Sequence, residues 1–261
     1  MEWLIESGKT VGVLSNSTRL AKKEVDKVAS YGLYQGKHFH FYITSGEIAK
    51  EMFVQKSLPF ETPRKKIWVF GGDHPRFSSS RMLFEGSQYE ETSKIQEADF
   101  IYLAIPHLEG EDQVDPKVFL EALRAVQKRG IPMLCANPDR FAHEGNPPKA
   151  VVRQGSLAAL FKDLGGEVFY VGKPSPLAYC AAMKRFALLD VFNPKEVLMI
   201  GDTPEIDIRG AQNSGMASAL VTQTGVMADR INQYGLQNVV LEDSPDFLIE
   251  RFAIHEFHTP S

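Results

Sequence analysis

Three short stretches of this 261-residue chain combine residue types that can handle a phosphate or a metal ion. The first is VLMIGDTPEIDIRGA, Val197 to Ala211. Its apolar run Val197–Ile200 reads as a buried strand, Gly201 lets the chain turn, and Asp202 stands at the strand's carboxyl end. Asp207 follows where a helical pattern begins. Two carboxylates at one strand end repel each other and are costly to desolvate. A hard divalent cation resolves that conflict, and Mg²⁺ favours one or two carboxylates with waters and phosphate oxygens. The plainer alternative is an acidic loop with an Asp capping a helix. The second stretch is VGVLSNST, where Ser15, Asn16, Ser17 and Thr18 follow an apolar run at once. Hydroxyls, an amide and a helix start suit a phosphate, although a simple helix cap uses the same residues. The third is VFYVGKPSP, where Lys173 follows a strand and a glycine. A lysine held there can neutralise a phosphate or a carboxylate; a solvated surface lysine is the alternative.

These residues are useful together only if strands and helices bring them together. Apolar runs recur at Val11–Leu14, Phe39–Ile43, Ile67–Phe70, Phe100–Ile105, Met133–Cys135, Val168–Val171, Val197–Ile200 and Ala217–Val221. Several run without alternation, as strands buried on both faces do. Helical patterns lie between most of them: Arg19–Tyr31 after Ser17 and Thr18, a segment opened by the capping-box spacing of Thr44 and Glu47, one opened by Asp115–Pro116 and stopped at Gly130, then Pro174–Leu189 and Glu205–Ser214. The alternation predicts an α/β, doubly wound parallel sheet, with chemistry at the carboxyl ends of its strands.

Composition sets outer bounds. Hydrophobic residues make up 43% and charged residues 24%, ordinary for a globular chain with a real core. A formal net charge of −4 and the lack of a Lys/Arg run argue against nucleic-acid binding. No stretch reaches the roughly 18 apolar residues of a membrane span. Cys135 and Cys180 lie far apart in apolar contexts and read as buried thiols in a reducing compartment. Met1 opens directly into a helix-like segment without a signal peptide, so the expected location is cytoplasmic. His74, His107 and His143 have no metal-ligand spacing and read as solvated loop histidines.

Taken in order, LSNST, CANPD (Cys135–Asp139), GGEVFYVGKPSP (Gly165–Pro176) and GDTPEIDIRGA resemble the haloacid dehalogenase (HAD) superfamily, and within it the class IIA branch of NagD-type and 4-nitrophenylphosphatase-like hydrolases. The resemblance covers nearly the whole chain. It implies a Rossmann-like core, residues 1–43 and 150–261, with an α/β cap inserted at 44–149. It also implies an Mg²⁺-dependent phosphatase acting on a small phosphorylated metabolite through an aspartyl-phosphate. Ser15, Lys173 and Asp202 would carry catalysis. Ser15, Asn16, Asn137, Asp139 and Lys173 would bind substrate, and Asp202 with Asp207 would hold the metal. For Asn137 and Asp139 a turn role is the alternative, since Asn-Pro-Asp is turn chemistry in itself. Related proteins often pair through their caps, which leaves a homo-oligomer open.

One family motif is not matched. The family's nucleophilic Asp ends a strand ahead of the Ser motif, and here no Asp precedes Asp26. Asp99 precedes its apolar run and Asp73 falls within the cap interval. The expectation is therefore a chain without its first core strand, N-terminally truncated and inactive as written. The alternative is a non-catalytic or regulatory protein that binds phosphorylated ligands.

Overall fold

A computed structural model of the chain describes residues 1–77, 79–145, 149–235, 238 and 243–252. The elements of the first compact unit, Met1–Arg185, begin with α1 (Glu2–Glu6), β1 (Gly12–Ser15), α2 (Ala21–Ala29), β2 (Phe41–Thr44) and α3 (Ser45–Gln55). There follow β3 (Lys66–Phe70), β4 (Glu90–Glu91), β5 (Phe100–Leu103), α4 (Leu120–Gln127), β6 (Met133–Cys135), β7 (Phe141–Glu144), β8 (Lys149–Val152), α5 (Gln154–Asp163), β9 (Val168–Tyr170) and α6 (Pro176–Ala187).

β1 and β2 pair in parallel, Gly12 opposite Phe41 through Ser15 opposite Thr44. Among the described strands β2 is the one ladder partner of β1. The Thr44 hydroxyl accepts from the Glu47 N–H at 3.0 Å and starts α3, as its spacing predicts. Glu47 does not close the box; its carboxylate accepts from the Ala21 N–H at 3.1 Å and so holds the start of α2 against α3. Ser45 donates to the carbonyls of Asn16 and Ser17, 2.8 and 2.9 Å, which pins the loop after β1 to the first turn of α3.

The large sheet is all parallel, in the order β4-β3-β5-β6-β9. All four residues of β5 are buried, so its period-two alternation divides two apolar faces. Ile101 and Leu103 join Phe70, Met133, Cys135, Leu123, Leu157 and Phe161 in one core beneath α4 and α5. Phe100 and Tyr102 face Phe53 of α3 in an aromatic cluster with Phe84 and Tyr89. β7 and β8 form an antiparallel hairpin. β9 pairs with β6, so this sheet runs on past the expected cap boundary at residue 149, and α3, expected as the start of the cap, packs on its aromatic face. The two compact units meet in the chain at residues 185 and 186.

The second unit, Phe186–Ser261, holds β10 (Leu198–Gly201), α7 (Arg209–Asn213), β11 (Ala217–Val221), α8 (Gly225–Tyr234) and β12 (Phe247–Ile249). The three strands pair in parallel in the order β10-β11-β12. Ile208, Leu220 and Met227 form its core with Ile231 against them. The helix expected over Glu205–Ser214 is split: Pro204–Ile208 is a π turn and the α-helix starts at Arg209. The fold is thus α/β with a large parallel sheet, as the alternation of segments predicts. Cys135 is buried as expected, but Cys180 is exposed, because α6 turns Ala178, Tyr179 and Ala182 inward and leaves position 180 outside that stripe. No helix among the described residues is long and apolar enough to cross a membrane.

Candidate functional site

In the first unit the structure brings three distant segments together around Asn16. The residue is 5% exposed. Its amide nitrogen donates to Asp139 Oδ1 at 2.9 Å and to the Lys173 carbonyl at 3.0 Å. The loop after β1, the turn after β6 and the turn after β9 are thereby tied at one point. Gly172 makes the approach possible. A Cβ at that position would lie 2.5 Å from Asn16 Oδ1, 2.7 Å from Pro138 Cδ and 2.9 Å from the Ala136 carbonyl oxygen. Asn16 Oδ1 is itself buried without a hydrogen-bond partner.

Around this tie, Ser15 is half-buried at the end of β1 and its hydroxyl accepts from the Ser17 N–H at 3.2 Å. Burial raises the pKa of the neighbouring Tyr42 hydroxyl, against a hydrogen bond with Ser15 that lowers it. Asn137 serves the turn: its side-chain oxygen accepts from the Asp139 N–H at 2.8 Å, and the Cys135 thiol donates to its carbonyl at 3.1 Å. Burial pushes the Cys135 thiol's pKa up, so it stays protonated. Of the sequence-derived candidates in this unit, Asn16 and Asp139 meet by side chain and Lys173 meets them by its backbone.

In the second unit, Asp202 follows β10 and Asp207 lies in the π turn. Asp207 Oδ2 accepts from the N–H groups of Asp202 and Thr203, 3.2 and 3.1 Å, so the carboxylate folds the turn back onto the strand end. Asp202 Oδ2 accepts from the Val226 N–H at 2.7 Å, at the first turn of α8, and its Oδ1 accepts from the Thr203 hydroxyl at 3.2 Å. Beside it, burial alone would raise the Glu205 pKa, but the hydrogen bonds from Arg230, one at 2.7 Å, outweigh this and hold it low. The two Asp carboxylates therefore sit at one turn with hard oxygen donors, which suits Mg²⁺ as part of a shell. Among the described residues no group of three or more His, Cys, Asp or Glu side chains could hold a metal by itself. A cation here would need water or phosphate oxygens to complete its coordination.

The structure also corrects the reading of the histidines. His143 is exposed in the β7–β8 hairpin, as expected of a solvated histidine. His74, at the carboxyl end of β3, is 4% exposed, and its ring meets that of His107 edge-on with centroids 5.1 Å apart. Burial lowers the His74 pKa, with His107, Arg76 and Arg153 adding to the effect. An apolar strand followed by GGDHP and another followed by AIPH were the available signal, since both histidines follow strand carboxyl ends. His107 is half-buried, and the ion pair beside His74, Arg153–Asp112 at 2.8 Å with Asp112 Oδ1 3.4 Å from His74 Nε2, joins residues far apart in the chain.

Comparison with known proteins bears on this geometry. Residues 170–253 match a family described as HAD-hydrolase-like. The chain is 40% identical over 99 residues to a cardiolipin synthase (CMP-forming)/mitochondrial hydrolase fusion protein of Schizosaccharomyces pombe, covering 33% of this chain and 16% of that protein. It is 28% identical over 138 residues to a dihydroxyacetone phosphatase of Corynebacterium glutamicum, covering 50% of this chain and 47% of that one. The matches thus span less than half the length of these curated relatives. Among solved structures, a haloacid dehalogenase-like hydrolase from Brucella suis superposes with a TM-score of 0.78 at 21% identity, over 97% of this chain and 86% of that one. A p-nitrophenyl phosphatase from Archaeoglobus fulgidus gives 0.66 at 20%, over 95% and 85%. A 4-nitrophenylphosphatase from Thermotoga maritima gives 0.63 at 20%, over 95% and 84%.

Proposed function

We propose that the chain, whose residues 170–253 match a HAD-hydrolase-like family and whose fold matches that of a haloacid dehalogenase-like hydrolase, binds a small phosphate monoester in the manner of such phosphatases, with Mg²⁺ as the cation. One observation carries the reading: Asn16 ties the Ser15 loop to the Lys173 turn. Ser15 would donate its hydroxyl to a phosphoryl oxygen, and the Lys173 ammonium would offset phosphate charge. In the second unit, Asp202 and Asp207 would hold Mg²⁺, whose chemistry when bound is that of a Lewis acid. The name of the Corynebacterium relative supports a small phosphorylated metabolite as ligand.

Positioning and charge are what these residues offer. Covalent hydrolysis also needs a carboxylate nucleophile at a strand end ahead of Ser15, and residues 1–14 contain Glu2 and Glu6 but no Asp. Both glutamates lie on α1 and end no strand. Residues 1–261 alone are accordingly proposed to bind the monoester without turning it over.

Thermal melting with millimolar Mg²⁺ and inorganic phosphate tests this. At a hundredfold excess over Kd the binding adds about 2.7 kcal/mol, a rise of roughly 5–10 °C in Tm. Asp202→Asn keeps an oxygen for the Val226 N–H and removes the charge, so it should abolish the Mg²⁺-dependent part. An unchanged wild-type Tm would refute the binding reading. Mg²⁺-dependent release of 4-nitrophenol from 4-nitrophenyl phosphate by residues 1–261 would refute the absence of turnover.

A further inference from the structure

In the second unit, α8 has no cap of its own. The side chain of Thr224, the residue before the helix, makes no capping hydrogen bond. Asp202 fills that role from the end of β10, where its Oδ2 accepts from the Val226 N–H at 2.7 Å across 24 positions of chain. Gly225 permits the approach. Its φ is +69°, and a Cβ there would lie 1.8 Å from Asp202 Oδ2, so a side chain at this position would push the carboxylate off the helix.

One helical turn further on, Arg230 holds the same acidic segment. Its Nη1 donates to Glu205 Oε2 at 2.7 Å and its Nη2 donates to Oε1, a two-point fork that fixes orientation as well as distance. Residues 226 and 230 lie four apart and share a face of α8. The adjoining face, Met227 with Ile231, packs on Leu220 and on Ile208, the last residue of the π turn. α8 and the turn that carries Asp207 are thus joined by a helix cap, a forked ion pair and a shared core.

Charge and geometry act in opposite directions at Arg230. Its hydrogen bonds to Glu205 raise its pKa against the effect of burial, and the charges of Glu205 and Asp202 add to the rise. A guanidinium this close to Asp202 repels a divalent cation, so by charge alone it weakens metal binding there. By geometry it strengthens the same binding, because a carboxylate already held in one orientation loses less freedom when it takes up a metal. The hydrogen-bond pattern favours geometry. The Arg230 charge is matched by Glu205, Asp202 Oδ2 is seated on α8, and Oδ1 carries the longer bond, 3.2 Å, from the Thr203 hydroxyl.

We infer that Arg230, acting through Glu205 and α8, is a positioning residue for Asp202: it keeps Oδ2 on the Val226 N–H and so leaves Oδ1 to be offered to Mg²⁺. The inference rests on the reading of Asp202 and Asp207 as the carboxylates of the metal site. Arg230, being a cation, ligates no metal itself.

The test is a Mg²⁺ titration of the full chain labelled with ¹⁵N. The Asp202, Thr203 and Val226 amide signals give the affinity, and hydrogen exchange at the Val226 amide reports the cap. Arg230→Gln should weaken Mg²⁺ binding about tenfold, where relief of charge repulsion alone would tighten it. It should also speed Val226 exchange about tenfold. Arg230→Lys keeps the charge but loses the fork, and should recover part of each loss. Gly225→Ala reaches the same contact from the other side: its Cβ displaces Asp202 from α8, so Mg²⁺ binding should again fall about tenfold. Should Arg230→Gln fail to fold, Gly225→Ala decides, and unchanged Mg²⁺ affinity in it would overturn the inference. Mg²⁺ binding by Arg230→Gln as tight as that of the wild type, or tighter, would overturn it as well, and so would unchanged Val226 exchange. Wild-type amide signals that stay fixed in millimolar Mg²⁺ would refute the metal reading itself, and Val226 exchange would then decide the brace alone.

Discussion

Replacing Asn16 with Ala should loosen the joint on which the first unit's candidate site depends. The change removes a hydrogen bond to the Asp139 carboxylate at 2.9 Å and another to the Lys173 carbonyl at 3.0 Å. A bond to a charged acceptor contributes about 1.5–3 kcal/mol and a neutral one about 0.5–1.5. Against this, the unpartnered Asn16 Oδ1 disappears, and with it a desolvation cost of about 1 kcal/mol. The net expectation is a loss of roughly 2 kcal/mol. Both tryptophans, Trp3 and Trp68, lie in Met1–Arg185, so their fluorescence during urea unfolding reports that unit alone. With a slope of about 2 kcal/mol/M, the midpoint should fall by about 1 M. A double-mutant cycle with Asp139→Ala isolates the charged bond and should give a coupling of about 1–2 kcal/mol. A midpoint shift corresponding to under about 0.5 kcal/mol, or additivity of the two changes, would mean that the tie is a geometric coincidence without energetic weight.

Two further outcomes follow from the same region. Gly172→Ala should destabilise the first unit by about 1–3 kcal/mol in the same fluorescence assay, because its Cβ would enter space held by Asn16, Pro138 and Ala136; a neutral result would mean that the three turns separate easily. His74 has a folded pKa below its unfolded value, chiefly through burial, so its contribution is complete above the unfolded pKa of about 6.5 and is lost as pH falls through that value toward the folded one. The urea midpoint should therefore drop between about pH 7.5 and 5.5 and drop less in His74→Phe; equal pH slopes in the two proteins would exclude His74 as the cause.

Strand existence was legible in the sequence because burial on both faces writes an unbroken apolar run, as at Phe100–Leu103. Strand partnership was not. The three residues of β9 carry no mark of whether they join β6 or some other strand. Caps were half legible. Asp115 accepts from the Lys117 N–H as its sequence context predicts, and Thr44 accepts from Glu47, but the Glu47 carboxylate goes to a helix 26 residues earlier in the chain. The Asn-Pro-Asp turn split its two candidates: Asn137 is spent on the turn, and Asp139 is recruited by Asn16 across 123 positions. Local spacing describes the first relation and is silent about the second.

The same limit explains why the burial of His74 was not legible in the sequence. A histidine after a strand is ordinary in a loop until tertiary contacts remove its water. Here Arg153, itself 5% exposed, is held by Asp112 and Glu144 and stands over Phe77 beside the His74 ring. Arg153 immediately precedes Gln154, which is 1% exposed, and Gly155, whose N–H donates to the Asp139 carbonyl. Arg153 thus packs on the ring that covers the imidazole, and two residues later Gly155 anchors the turn that meets Asn16. A displacement of α5's first turn would disturb both at once. The surroundings of His74 and the geometry of the Asn16 tie are therefore not independent variables, and a substitution in either is expected to be felt in the other.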